Sequence, residues 1–198
     1  MDIDNQAGTL MLYQTDLFGY KKKKRKGYYE SILSRYDLDS LPERLERFKW
    51  LLKVFPSGYG FMMESESSFI FDEAKMAFIN GQFISVILLA FSFLEHWLGG
   101  YISSLGHYDT AKAGMKRILV FVEEKHLLNG LFIKKIDRIR EIRNTYIHIK
   151  PQNYVHKLSN RIFRESVTPG EIMHKDAREA LILMYQISVT NFWKYKKG

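Results

Sequence analysis

Arg143, Asn144 and His148 stand within six residues of one another and combine side-chain types suited to an anion. A guanidinium gives paired, charge-assisted hydrogen bonds to a phosphate or carboxylate. An imidazole gains and loses a proton near neutral pH. Asn144 and His148 are four residues apart, which on a helix puts them on one edge. Arg143 reaches the same edge through its long side chain.

The pattern around them predicts a helix from about Leu131 to Ile147 or Ile149, stopped by Pro151, because the residue before a proline avoids the α region. At about 100° per residue from Ile136, the residues Phe132, Ile139, Tyr146 and Ile147 form an apolar stripe. Arg143 falls near the middle of it, at about −20°. Arg140, Asn144 and His148 follow at about +40°, +80° and +120°. Lys134, Arg138 and Glu141 are expected to face solvent on the opposite side. An arginine inside an apolar stripe is unfavourable unless it is paired or lines a cleft. Three arrangements satisfy it: the side chain snorkels to water, it meets a buried acid, or the stripe faces a cleft or subunit interface that binds an anion. Glu95, between Leu94 and His96 in an apolar segment, is the natural counter-charge for Arg143, as a structural pair or in an orienting role.

The elements that must position these residues read as helices throughout. A helical pattern begins at Tyr28. Ser40, Pro42 and Glu43 resemble a helix start, with an end near Val54 before the Pro56–Gly60 break. A helix marked by Phe69, Ala74, Ala77 and Phe78 stops at Asn80-Gly81. The next, from Gln82 to about Tyr101, is apolar nearly all round and belongs at the centre of a bundle. A third spans about Thr110 to Leu128 and closes at Asn129-Gly130. After the helix that carries Arg143, residues 151–170 read as a loop. A last amphipathic helix runs from Pro169-Gly170-Glu171 to about Tyr195. The expected fold is all-α: an antiparallel bundle of four to five helices over residues 63–198, a helical extension over 28–62, and a flexible basic tail over 1–27.

Composition narrows the chemistry. The 198 residues include no cysteine, so disulfides, thiolate metal sites and a cysteine nucleophile are excluded, and a reducing cytoplasm suits the chain. The net charge of +8 favours anionic partners. No secretory signal is visible, and the apolar run from Phe83 to Leu94 is short of the roughly 20 residues that span a bilayer. A buried helix is expected there, with no membrane partner. His107, His126, His156 and His174 lack metal-ligand spacing. No phosphate-binding glycine loop is present. Lys21, Lys22, Lys23, Lys24, Arg25 and Lys26 form a basic block that either stays solvated or grips a nucleic-acid backbone. Gln14 to Phe18 (QTDLF) resembles the short peptide with which bacterial replication proteins dock the sliding clamp.

Arg143 to His148 (RNTYIH) resembles the R-N-x-x-x-H motif of HEPN domains. Residues 71–98 resemble the paired helices that open those domains: Ala74 and Ala77, then Gly81, Phe83, and Glu95 in an apolar second helix. The likeness covers roughly residues 64–196. It implies a HEPN-like bundle, a homodimer that unites two copies of the motif, and cleavage of RNA with neither metal nor other cofactor. It implies His148 as general base or acid, Arg143 as clamp on the scissile phosphate, and Asn144 as a positioning group. Attack by the substrate's own 2′-OH would restrict cleavage to RNA. Arg140, Lys150 and Glu95 would support the site. In a toxin branch of the family a tyrosine two residues after the histidine is modified by a partner antitoxin. Lys150 stands there, so an antitoxin or regulatory partner would have to act otherwise. A non-catalytic module that binds nucleotide or protein is the rival reading, and a clamp- or nucleic-acid-tethered accessory protein is a third.

Overall fold

The structure, a computed structural model, describes residues 27–55 and 65–190, and every described element is helical. Eight helices occur among the described residues: α1 Tyr28–Val54, α2 Ser65–Ile79, α3 Phe83–Ser104, α4 Tyr108–Ala111, α5 Met115–Glu124, α6 Gly130–Ile147, α7 Leu158–Glu165 and α8 Pro169–Ser188. The chain divides into two units, residues 1–43 and 44–198. The basic block Lys21–Lys26 and the segment Gln14–Phe18 lie outside the described residues.

In the first unit the described part is the opening of α1. Ser40 was expected to cap a new helix at Pro42. Its hydroxyl instead donates back to the Asp37 carbonyl, 3.3 Å away, and the helix continues through Pro42. Proline removes the amide that would bond the Leu38 carbonyl. Both residues are exposed, so water can serve that carbonyl.

The second unit is a helical bundle around one core. The α2–α3 hairpin turns at Asn80-Gly81, where Gly81 takes φ +75°, a left-handed conformation that glycine adopts without penalty. α3 is the centre: Val86, Ile87, Ala90, Phe93, Leu94, Leu98 and Ile102 are buried against α2, α6 and α8. Glu95 and His96 do not end this helix. At 22 residues it is the one described helix long and apolar enough to cross a membrane. Arg44 to Val54 of α1 adds Leu51 to the core, tilts Trp50 against Phe78 at 4.9 Å, and bonds Arg47 Nε to the Ile79 carbonyl at 2.8 Å.

Two expected elements take another form. The helix anticipated over Thr110–Leu128 is broken into α4 and α5 by Gly114, whose φ of +83° no helix contains. The anticipated loop 151–170 contains α7, which buries Arg161. α8 starts where Pro169 suggested. Thr168 Oγ1 accepts from the Glu171 amide while Glu171 Oε2 accepts from the Thr168 amide, a capping box. The helix ends at Ser188, short of Tyr195.

Candidate functional site

The helix that carries the motif, α6, is capped at its start by Asn129, whose side chain accepts from the Phe132 amide at 2.8 Å. Its buried positions are Ile133, Ile136, Ile139 and Ile142. They are spaced by three, so the buried face rotates by about 60° at each step. This precession decides where the arginine goes. By Ile142 the core direction has turned well away from Arg143, which is half-buried at the edge of the bundle rather than in the middle of an apolar stripe.

Among the described residues Arg143 has no acidic partner, since none of their ion pairs includes it. Its guanidinium carbon lies 4.7 Å from the centre of the Phe91 ring on α3, and Nη1 donates to Asn144 Oδ1 at 3.1 Å. An aromatic face attracts a cation yet leaves the guanidinium edge free to bond an anion. His148 ends the helix. Its backbone is extended (φ −131°, ψ 140°), and its amide still donates to the Asn144 carbonyl at 3.1 Å. That bond ties His148 to Asn144 at the helix end. The imidazole is exposed, as are Ile147 and Ile149 on either side.

The supporting residues are arranged differently from expectation. Glu95 does not pair with Arg143. Its Oε1 accepts from the Met115 amide at 2.9 Å and so caps α5. Ala113-Gly114 offers no capping side chain, and the carboxylate one turn beyond Phe91 on α3 takes that role. Arg140 is engaged by two acids of its own helix: Nε bonds Asp137 at 2.7 Å, and Nη2 bonds Glu141. Lys150 places its ammonium 5.2 Å over the Tyr154 ring. Arg138, expected in solvent, bonds Glu179 and reaches Asp176 at 3.3 Å, so it bridges α6 to α8.

That bridge belongs to a buried ion cluster behind the motif. Arg161 is 1% exposed and Asp176 0%. The two form a bidentate pair, with Nη2 2.9 Å from Oδ1 and Nη1 bonded to Oδ2. Glu165 adds an acid at 3.3 Å from Arg161 Nε. Burial pushes the Tyr146 hydroxyl above its ordinary pKa, and the Asp176 charge pushes the same way. Burial lowers the pKa of His156; Glu141 opposes the shift, and Arg138, Arg161 and Arg164 add to it.

The cluster anchors the chain that follows His148. From α7, Asn160 Nδ2 donates to the carbonyls of Gln152 (2.6 Å) and Tyr154 (2.9 Å), and Arg164 donates to the Val155 carbonyl at 3.1 Å. Arg161 then fastens α7 to α8 through Asp176. The imidazole therefore stands between a fixed helix end and a tethered loop. Sequence reasoning missed this support, although one signal was available. Asp176 lies four residues from both Ile172 and Ala180, on the apolar face of α8, and an acid there requires a cation.

No group of three or more histidine, aspartate or glutamate side chains able to hold a metal occurs among the described residues. No protein-family model, curated protein or solved structure matches this chain.

Proposed function

We propose that this protein is a metal-independent endoribonuclease of the HEPN type, acting as a toxin or defence enzyme in the cytoplasm. The observation that supports it most is Arg143. Among the described residues this guanidinium has no acid; it rests on an aromatic face and is bonded to Asn144, one turn from the exposed imidazole of His148. A scissile phosphate would supply the missing anion.

The reaction joins the ribose 2′-oxygen to phosphorus and breaks the bond from phosphorus to the 5′-oxygen. One imidazole takes the 2′-OH proton, and a second, protonated imidazole gives a proton to the departing 5′-oxygen. Arg143 stabilises the charge that builds on the non-bridging oxygens. The products are a 2′,3′-cyclic phosphate and a 5′-hydroxyl. Each chain contributes one histidine to this motif, so base and acid at one phosphate call for two copies. A homodimer follows from that count.

The test is cleavage of single-stranded RNA in EDTA by the wild-type protein beside His148→Ala. The expected result is EDTA-resistant cleavage with cyclic-phosphate ends, lost in the variant and absent on DNA. Cleavage that survives His148→Ala refutes the assignment. RNA left intact across varied sequences and folds by a dimeric wild-type protein favours a module that binds without cutting.

A further inference from the structure

A second cluster of cations lines a cleft of about 510 Å³ between the early turns of α6 and the outer face of α8. Lys135 comes from α6; His174, Lys175, Arg178 and Gln186 come from α8. Lys135 lies eight residues before Arg143, about 12 Å along the helix, and Arg143, Asn144 and His148 do not line this cleft, so it is separate from the motif.

Three features mark the cleft as incomplete. The two acids in its wall are already engaged: Glu171 in the Thr168 capping box and Glu179 with Arg138. Lys175 pairs with Glu165 at 3.6 Å, but Arg178 and Lys135 join no ion pair among the described residues, and Arg178 lies 4.6 Å over the Trp50 ring. His174 is stacked on Phe78 at 5.5 Å and tilted against Phe83 at 5.0 Å, with its ring half-buried. Burial holds its pKa below the ordinary value, and the nearby charges of Arg178 and Arg47 act in the same direction. Lastly, Gln186 Oε1 is buried with no hydrogen-bond donor among the described residues. A buried acceptor of that kind is costly unless something fills it.

We propose that this cleft binds a phosphate-bearing ligand, with the phosphate held by Lys135, His174 and Arg178 and the Gln186 amide turning out of its buried position to accept from an N–H or O–H group of the same ligand. A phosphate alone would satisfy the cations but not the amide oxygen. A nucleotide unit presents both groups, whether free or within an RNA strand. The site does not depend on the chemistry of Arg143 and His148.

The experiment titrates wild-type protein, as the full chain, with inorganic phosphate, with adenosine monophosphate and with a short single-stranded RNA. Binding is followed through the His174 imidazole resonances. A bound phosphate must raise the pH at which His174 titrates, because it offsets Arg178 and Arg47. The expected result is saturable binding of adenosine monophosphate or RNA, weakened about tenfold or more in Lys135→Ala/Arg178→Gln. Gln186→Leu should weaken both ligands while leaving inorganic phosphate unaffected. Preference for the mononucleotide identifies a free ligand, and preference for RNA identifies a strand-binding surface. His148→Ala must retain binding, which separates this site from the proposed nuclease centre. An unmoved His174 titration with all three ligands overturns the proposal, as does equal affinity in the double variant.

Discussion

Asp176→Asn tests the structural logic of the second unit most directly. The carboxylate is fully buried and accepts twice from Arg161 and once from Arg138. The amide keeps the shape but removes the charge. Arg161, itself 1% exposed, is then left with Glu165 at 3.3 Å as its acid. Breaking a buried pair from one side costs about 3–5 kcal/mol, since a buried charge loses its compensation. For a domain of this size that corresponds to a fall in Tm of roughly 10 °C. It is a large share of the roughly 5–15 kcal/mol that holds a typical domain folded. The assay is urea denaturation followed by circular dichroism, beside the double variant Arg161→Met/Asp176→Leu. That double replacement removes both charges and should recover most of the loss, because an apolar pair of similar volume often equals a buried ion pair. A loss below about 1 kcal/mol in Asp176→Asn would refute the reasoning. So would a double variant no more stable than the single one.

Other perturbations address individual contacts. Glu95→Ala should destabilise by about 1 kcal/mol and speed hydrogen exchange at the Met115 amide, while Glu95→Gln, which keeps an acceptor oxygen, should lose less. Phe91→Leu removes the ring under Arg143; a cation on such a face gains about 0.5–2 kcal/mol, so the proposed RNA cleavage should slow by roughly two- to thirtyfold. Unchanged kinetics would show that the ring does not position the guanidinium. His156 and His174 both titrate below their ordinary value, chiefly through burial. The fold therefore favours their neutral forms. Their contribution to stability is complete above the unfolded pKa of about 6.5 and declines as pH falls through it. Melting curves from pH 8 to 5.5 should show that decline, and it should flatten in His156→Gln/His174→Gln.

The fold was legible where local chemistry governs it. Asn80-Gly81 marks a tight turn, Pro169 and Glu171 mark a capped start, and Pro151 limits α6. Each acts within a few residues. Where the expectation departed from the structure, a distant residue intervened. No local side chain caps α5, so nothing near Gly114 revealed that Glu95 would reach across from α3. α7 hid between prolines because Arg161 gains a reason to be helical and buried only when Asp176 is opposite. Arg138 reads as solvent-facing on the same grounds: its partners, Asp176 and Glu179, lie 38 and 41 residues further on. The candidate site divides likewise. Arg143, Asn144 and His148 could be read from spacing, but Phe91 could not.

Arg143 also shows how a small geometric detail changes a functional argument. A fixed angular stripe puts it in the core and asks for a buried acid. The spacing of Ile133, Ile136, Ile139 and Ile142 makes the buried face turn along α6, so the last turn presents Arg143 at an edge. An arginine committed to Glu95 would have to break an ion pair before it could hold a phosphate. One resting on Phe91 and bonded to a neutral amide has less to give up. Charge-assisted hydrogen bonds contribute about 1.5–3 kcal/mol each, against about 0.5–2 kcal/mol for the ring. An arriving phosphate can therefore recruit this guanidinium at small penalty and can leave the ring contact in place, because stacking uses the face of the guanidinium and phosphate binding uses its edge.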